Sequence, residues 1–273
     1  MIVTSSIGMI HHAKLYARTY GFDYVPVGKS KEFKDIYQFG VYEYEDYENI
    51  RNRVEGKVVI HWCGSDVFSF ARRVRLKKFV AKFTPNIIHI AQSNRQATIL
   101  RDLGINVKVV ARFNDDRSKY QVAELPKSFT PLVYYDIARA NRFALKEIMS
   151  VIETSPFDFN LIGEGEERKN IKWIKPISLF ERPEEYREIL RSSSCLIRFD
   201  NQEAEGFSQM TMQMFLLGRR VISNTVQPFV AITKIDKESL NRSLYQLSLL
   251  TTPAIDAAAY YREMSLFDLR EYA

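Results

Sequence analysis

The chain has 273 residues, 46% hydrophobic and 26% charged, with a net charge of +6. That length can bury two modest cores, the composition excludes a fibrous or disordered chain, and no run of 18 apolar residues argues for a membrane-spanning helix. The two cysteines, Cys63 and Cys195, are far apart and outside any CxxC or paired Cys/His spacing, which argues against a disulfide framework and a structural zinc site. The opening stretch MIVTSSIGMIHHAK lacks the basic n-region of a signal peptide and reads as a first strand, so a cytoplasmic protein is expected.

Short apolar or β-branched runs, IVTSS (2–6), DYVPV (23–27), VVIHW (58–62), IIHIA (87–91) and VKVVA (107–111), predict strands. HHAKLYARTY and RQATILRDLG, the latter closed by Gly104, predict helices between them. The alternation predicts a doubly wound α/β domain, whose ligands bind at the carboxyl ends of the strands. Three loops fall there. Gly8 follows the first strand, HWCGSD places His61, Gly64, Ser65 and Asp66 after the third, and Ser93 or Asn94 caps a helix after the fourth. EYEDYE (43–48) reads as a solvated acidic helix start and not as a metal motif.

One segment is strongly basic. ARRVRLKKFVAKF (71–83) holds Arg72, Arg73, Arg75, Lys77, Lys78 and Lys82 and no acid, while Phe70, Val74, Phe79, Val80 and Phe83 suit a helix face packed on a sheet. Residues 72–82 are read either as a solvated face or as a surface attracted to an anionic partner, a membrane in peripheral contact or, less favoured, a nucleic acid. Net charge does not choose.

The stretch FNDDRSKYQVAELPKSFTP (113–131) predicts a linker, giving an N-terminal domain over 1–125, a C-terminal domain over 126–255, and a terminal helix within 256–273 that returns toward the first domain. In the second half PLVYYDI (131–137), FNLIG (159–163) and IKWIK (171–175) predict strands, and RFALKEIMSVIE and PEEYREILRS predict helices. CLIRFD (195–200) is a further strand. It leads into EAEGFSQMTMQMFLLGRRVISNT (203–225), a loop, a helix capped by Ser208 and ended by Gly218, with Arg219 and Arg220 at the negative end of its dipole, then a strand. The amides after Phe207 suit a phosphate or a sugar hydroxyl, and Glu205 suits a sugar donor group.

Glu205, Gly206, Phe207 and Ser208, followed by a helix, Gly218 and RRVISN, resemble the E-x7-E region of retaining glycosyltransferases of family 4. Gln213 stands where that family has its second glutamate. The glycine-bearing first loop, the strand ending in His61 and the pair Asn114 and Asp115 follow the same family's order. The resemblance implies the GT-B architecture, two Rossmann-like doubly wound domains facing across a cleft, and transfer of a sugar from a UDP- or GDP-sugar to an acceptor hydroxyl with retention. The acceptor, whether glycan, lipid-linked sugar or protein, has no signature.

By the same resemblance His61 and Glu205 position the transferred sugar, and Arg139, Arg142 and the more distant Lys146 offset the diphosphate. Gly163 lies in a turn beneath the nucleotide, and backbone near Ile174 and Lys175 reads the base. Gly206, Phe207, Ser208 and Gln209 line the donor, Gln213 meets the ribose, and the loops at Gly8 and at Gly64, Ser65 and Asp66 face the acceptor and close over the donor. No Asp-x-Asp motif occurs, so neither a metal nor a cofactor is expected. Two other readings stay open: a sugar-nucleotide epimerase on the same fold, and a non-catalytic nucleotide- or carbohydrate-binding relative that has lost the second acid.

Overall fold

The computed structural model describes residues 1–51, 53–176, 181–200, 208–266 and 268–271, and these divide into two compact units. The first comprises Met1–Asp116 and the described part of Ser265–Ala273; the second comprises the described parts of Arg117–Glu203 and Ser208–Met264.

The first unit is built on strands β1 (Ile2–Ser5), β2 (Ile36–Phe39), β3 (Val58–Trp62), β4 (Ile87–Ala91) and β5 (Val107–Val109), paired in parallel in that order. Helices α1 (Ile10–Tyr20), α2 (Tyr44–Arg51), α3 (Ser65–Arg75) and α4 (Asn94–Arg101) make the crossovers. Period-2 alternation divides the sheet's residues between two cores. Val3, Tyr37, Phe39, Val59 and Ile90 pack with Ala13, Tyr16 and Ala17 of α1. Ile36, Val58, Ile60, Trp62 and Ile87 pack with Tyr47, Ile50, Val67, Phe70 and Leu100 of the other helices.

Two expectations change here. DYVPV makes a single bridge, Tyr24 to Val3, because Pro26 has no N–H to continue a ladder. The strand beside β1 is instead IYQF (β2), whose Gln38, buried in the sheet, donates to the Gly40 carbonyl at 2.9 Å. The acidic stretch 43–48 does start a helix, α2, yet Asp46 is buried and accepts from the Tyr42 and Glu43 amides at 3.0 and 2.9 Å. It is a cap drawn inward, not a solvated charge.

The second unit holds β6 (Pro131–Tyr134), β7 (Phe159–Ile162), β8 (Ile171–Ile174), β9 (Cys195–Ile197), β10 (Arg220–Ser223) and β11 (Ala231–Ile232), in the order β11-β10-β9-β6-β7-β8. All pairs are parallel. Read from β8, the order is third, second, first, fourth, fifth, sixth, the doubly wound arrangement whose direction reverses between β6 and β9. Helices α5 (Leu145–Ile152), α6 (Pro183–Arg191), α7 (Gln209–Leu216), α8 (Lys237–Ser248) and α9 (Ile255–Glu263) accompany it.

The predicted terminal helix divides. α9 stays in the second unit, where Tyr261 stacks on Phe215 of α7 at 4.5 Å, and from Ser265 the chain belongs to the first unit, with the Arg270 guanidinium 5.5 Å from the Tyr20 ring. The predicted linker is ordered packing: Phe113 is buried in the first unit and Tyr120 in the second. Arg117 donates to the Arg262 and Met264 carbonyls at 2.8 and 2.9 Å, capping α9. Arg219, expected to face the helix dipole, is fully buried and donates to the carbonyls of Ala123, Glu124, Leu217 and Arg191. No helix among the described residues is long and apolar enough to cross a membrane.

Candidate functional site

In the second unit the carboxyl ends of β6 and β9 flank the reversal point, the place where doubly wound sheets take up ligands because the chain leaves these neighbouring strands in opposite directions. After β6 the chain turns through Ile137–Arg139, and α5 begins only at Leu145, after Ala144 in a left-handed conformation. That turn brings Arg142 back over the sheet edge, where its Nε donates to Asp200 Oδ1 at 3.3 Å; their side chains are 13% and 5% exposed. Asp200 is fixed in turn by Asn224 after β10, whose Oδ1 accepts from the Asp200 amide at 2.9 Å and whose Nδ2 donates to the Asp200 carbonyl at 3.3 Å. Arg198 lies beside them, its guanidinium 4.2 Å from the Phe143 ring centroid and 5.5 Å from that of Tyr134.

The other expected donor residues are spread along this edge. Arg139 is exposed and pairs with Asp136 at 3.5 Å, and Lys146 is exposed on the first turn of α5. Gly163 follows β7 and donates to the Ile174 carbonyl at 2.9 Å; a Cβ there would lie 2.5 Å from the Tyr135 carbonyl, so the close approach requires glycine. Ile174 is half-buried and Lys175 exposed. Ser208 precedes α7 without a side-chain cap bond, contrary to expectation, and Gln209 opens the helix. Glu205, Gly206 and Phe207 lie outside the described residues.

Gln213 is 1% exposed, with both ends of its amide bonded. Its Nε2 donates to the Tyr120 hydroxyl at 2.9 Å, and its Oε1 accepts from the Tyr186 hydroxyl at 3.0 Å. The residue expected at the ribose therefore joins α7, α6 and the chain entering the unit.

The carboxyl edge of the first unit holds a second cluster. His61, the fourth residue of β3, is fully buried, and its Nδ1 is hydrogen-bonded to the Tyr37 hydroxyl. Arg112, beyond β5, places its guanidinium 4.4 Å from the Phe39 ring and donates to Cys63 Sγ at 3.5 Å. His12, in the first turn of α1, has Nδ1 3.1 Å from Asn114 Nδ2, which fixes Nδ1 as acceptor and Nε2 as the protonated nitrogen.

Burial first, then the Arg112 charge, holds His61 well below the ordinary imidazole range; the same causes in the same order bring His12 down to about 4. Burial pushes Cys63 up to about 12, so it is a thiol and not a nucleophile at neutral pH.

Asp66, expected on the acceptor side, is fully buried and accepts from the amides of Val41, Cys63, Gly64 and Val67 at 2.8 to 3.2 Å. Burial raises it to about 6 despite those amides, and it ties the loop after β2 to that after β3. Ser65 Oγ lies 3.3 Å from the Tyr42 hydroxyl. Gly8 sits in an exposed turn where an added Cβ would meet nothing within 4 Å. Among the described residues no group of three His, Cys, Asp or Glu side chains is placed to hold a metal ion.

No protein-family model and no curated protein sequence matches this chain. Solved structures do. It is similar to the lipopolysaccharide outer core galactosyltransferase WaaB in its apo form, at 10% identity and a TM-score of 0.61, covering 97% of this chain and 95% of that one. It is similar to sucrose-phosphate synthase from Thermosynechococcus elongatus, at 10% identity and a TM-score of 0.62, covering 93% and 79%. The fold is GT-B. A third structure, S. aureus TarM with fondaparinux, alpha-GlcNAc-glycerol and UDP, aligns at 10% identity and a TM-score of 0.51 over 84% of this chain and half of that one.

In this GT-B chain the partner of Arg142 carries no local pattern, because Asp200 closes CLIRFD, which reads only as an apolar run. Arg198, Arg112 and Tyr37, which stand beside residues marked in the sequence, carry none either. Arg112 stands beside the Asn114 and Asp115 pair that the sequence did mark, and that proximity was the available signal.

Proposed function

We propose that this chain transfers a sugar from a nucleotide-diphosphate-sugar, such as a UDP- or GDP-sugar, to an acceptor hydroxyl with retention of configuration. The observation that carries this reading is the Arg142–Asp200 pair at the reversal point of the second sheet. It places a guanidinium, geometrically suited to a diphosphate, at the edge where doubly wound sheets take up nucleotides. The sequence EGFS (205–208) supports it, as does the GT-B fold shared with the WaaB galactosyltransferase, sucrose-phosphate synthase and TarM structures.

In this reading Arg142 and the exposed Arg139 offset charge on the departing nucleotide diphosphate, so that no metal is required at the leaving group. Glu205 accepts hydrogen bonds from the transferred sugar. His61, held neutral, is a hydrogen-bonding group and not a cation, and the acceptor hydroxyl attacks from the side the diphosphate leaves. Gln213 acts by fixing α7, whose start carries the donor loop. The test is proton NMR of early product from UDP- and GDP-sugars with a panel of acceptors: the account expects the donor's anomeric configuration in the product and no product from Glu205→Ala. Inverted product, or undiminished turnover by that variant, refutes it.

A second reading is favoured by Gln213, whose amide is occupied by two tyrosine hydroxyls. A chain that keeps the fold and lacks the second acid would bind a nucleotide without turning it over. Calorimetric binding of UDP or GDP with no turnover of any donor selects it.

A further inference from the structure

From Val67 to Arg101 the chain has no acidic residue and eight basic ones, Arg72, Arg73, Arg75, Lys77, Lys78, Lys82, Arg95 and Arg101. The expected helix over 71–83 stops early, as α3 ends at Arg75. Lys77 then takes a left-handed conformation, φ 56°, its amide donating to the Val74 carbonyl at 2.9 Å and that of Lys78 to the Arg73 carbonyl at 2.8 Å. This is a Schellman closure, normally made with glycine. A lysine there strains the backbone where glycine would not, and such outliers concentrate where a side chain has a use.

The turn is held firmly from below. Phe79 is buried and stacks on Tyr47 at 4.1 Å. The Tyr47 hydroxyl donates to the Val80 carbonyl and accepts from the Val80 amide, both at 2.8 Å. Arg73 turns back to the Tyr42 carbonyl. Anchoring these groups leaves the others outward: Leu76 is 56% and Val80 57% exposed, among the exposed Arg72, Arg75, Lys77, Lys78 and Lys82. Tyr44, 61% exposed, adjoins them with its ring 6.0 Å from that of Phe79. Of the acids on and just before α2, Asp46 is spent on capping and Glu48 pairs with Arg51 at 3.4 Å, while Glu43 and Glu45 are exposed.

We propose that this turn of the first unit is a docking surface for an anionic lipid bilayer, with Leu76 and Val80 entering the headgroup boundary and the surrounding lysines and arginines meeting lipid phosphates. The cations alone would suit any polyanion. Two aliphatic side chains held outward among them gain nothing from a nucleic-acid backbone, whereas an interfacial segment uses both features together. The proposal does not depend on the sugar-transfer reading.

The experiment is co-sedimentation of the full chain with phosphatidylcholine vesicles, with and without phosphatidylglycerol, at low and raised salt, beside a duplex DNA control. Binding only to the anionic vesicles, weakened by salt, is expected. Lys77→Glu with Lys78→Glu and Lys82→Glu should lower partitioning at least on the order of 100-fold, since each cation is worth about fivefold. Leu76→Ser with Val80→Ser should weaken vesicle binding and leave any DNA binding unchanged. Lys77→Gly gives a folding control: its melting temperature should rise as its vesicle binding falls about fivefold. No binding to anionic vesicles, binding untouched by the Leu76 and Val80 substitutions, or tighter binding to DNA than to vesicles overturns the proposal.

Discussion

Arg142 and Asp200, 58 residues apart in sequence, meet at 3.3 Å where the strand order of the second unit reverses. The Arg142 guanidinium remains a planar cation beside that carboxylate, and burial of the pair strengthens its attraction for an anion at this edge. Arg142→Ala should therefore weaken UDP or GDP binding by about 10- to 100-fold, the equivalent of one charge-assisted hydrogen bond of ~1.5–3 kcal/mol. Asp200→Asn, which retains an acceptor but removes the competing charge, should bind the nucleotide at least as tightly as the parent. Isothermal titration of both variants checks this, and loss of binding in Asp200→Asn alone would contradict it.

Gln213→Leu removes the acceptor of the Tyr186 hydroxyl and the donor to that of Tyr120 inside a packed core. The expected cost is about 1–3 kcal/mol in urea unfolding. Gln213→Glu should cost less than leucine, because both hydroxyls can rotate to donate to a carboxylate.

Arg219 has four carbonyl partners and is fully buried. Arg219→Met should destabilise the second unit by about 3–5 kcal/mol, through the carbonyls it leaves bare. Arg219→Lys should restore only part of that, since three ammonium donors from one point cannot reproduce the guanidinium fork. Chemical denaturation of the two variants gives the comparison.

Burial holds His12 and His89 down to about 4, and holds His61 well below the ordinary imidazole range. In the unfolded chain each protonates near 6.5, so between pH 6.5 and about 4 the unfolded state binds more protons and stability falls as pH drops. Asp66, raised from 3.8 to about 6, acts oppositely, as does Asp46, also raised: their contribution is full at low pH and is lost as pH rises through the folded-state values. With three histidines against two carboxyls, acidification should lower the melting temperature. His89→Gln should flatten the slope by up to about 1.4 kcal/mol per pH unit, and Asp66→Asn should steepen it.

Strands β3 and β4 were legible in sequence because buried parallel strands need continuous β-branched runs. β2 was not, since Tyr37 and Gln38 interrupt the run and are accommodated only by partners elsewhere, the His61 ring and the Gly40 carbonyl. Arg139, Arg142 and Lys146 were marked through the resemblance as cations after the first strand of the second half, and the strand order there was not legible. Which cation stands there depends on the turn before α5 and on Asp200, which no local pattern encodes. The occupation of Gln213 was hidden for the same reason: Tyr120 lies 93 residues away. Asp66 was read as facing a ligand because it follows the carboxyl end of the third strand, and the structure draws it under the loops by giving it four backbone amides.

Everything proposed for the reaction depends on this GT-B chain turning over a nucleotide sugar through Glu205. The most direct measurement is release of UDP or GDP from matched donors by the parent and by Glu205→Ala, with nucleotide affinity determined for each. Release by the parent is expected, with a loss of at least about 100-fold in the variant at similar affinity for the free nucleotide. Equal release by both proteins, or none from any donor by a parent that binds the nucleotide, would contradict it.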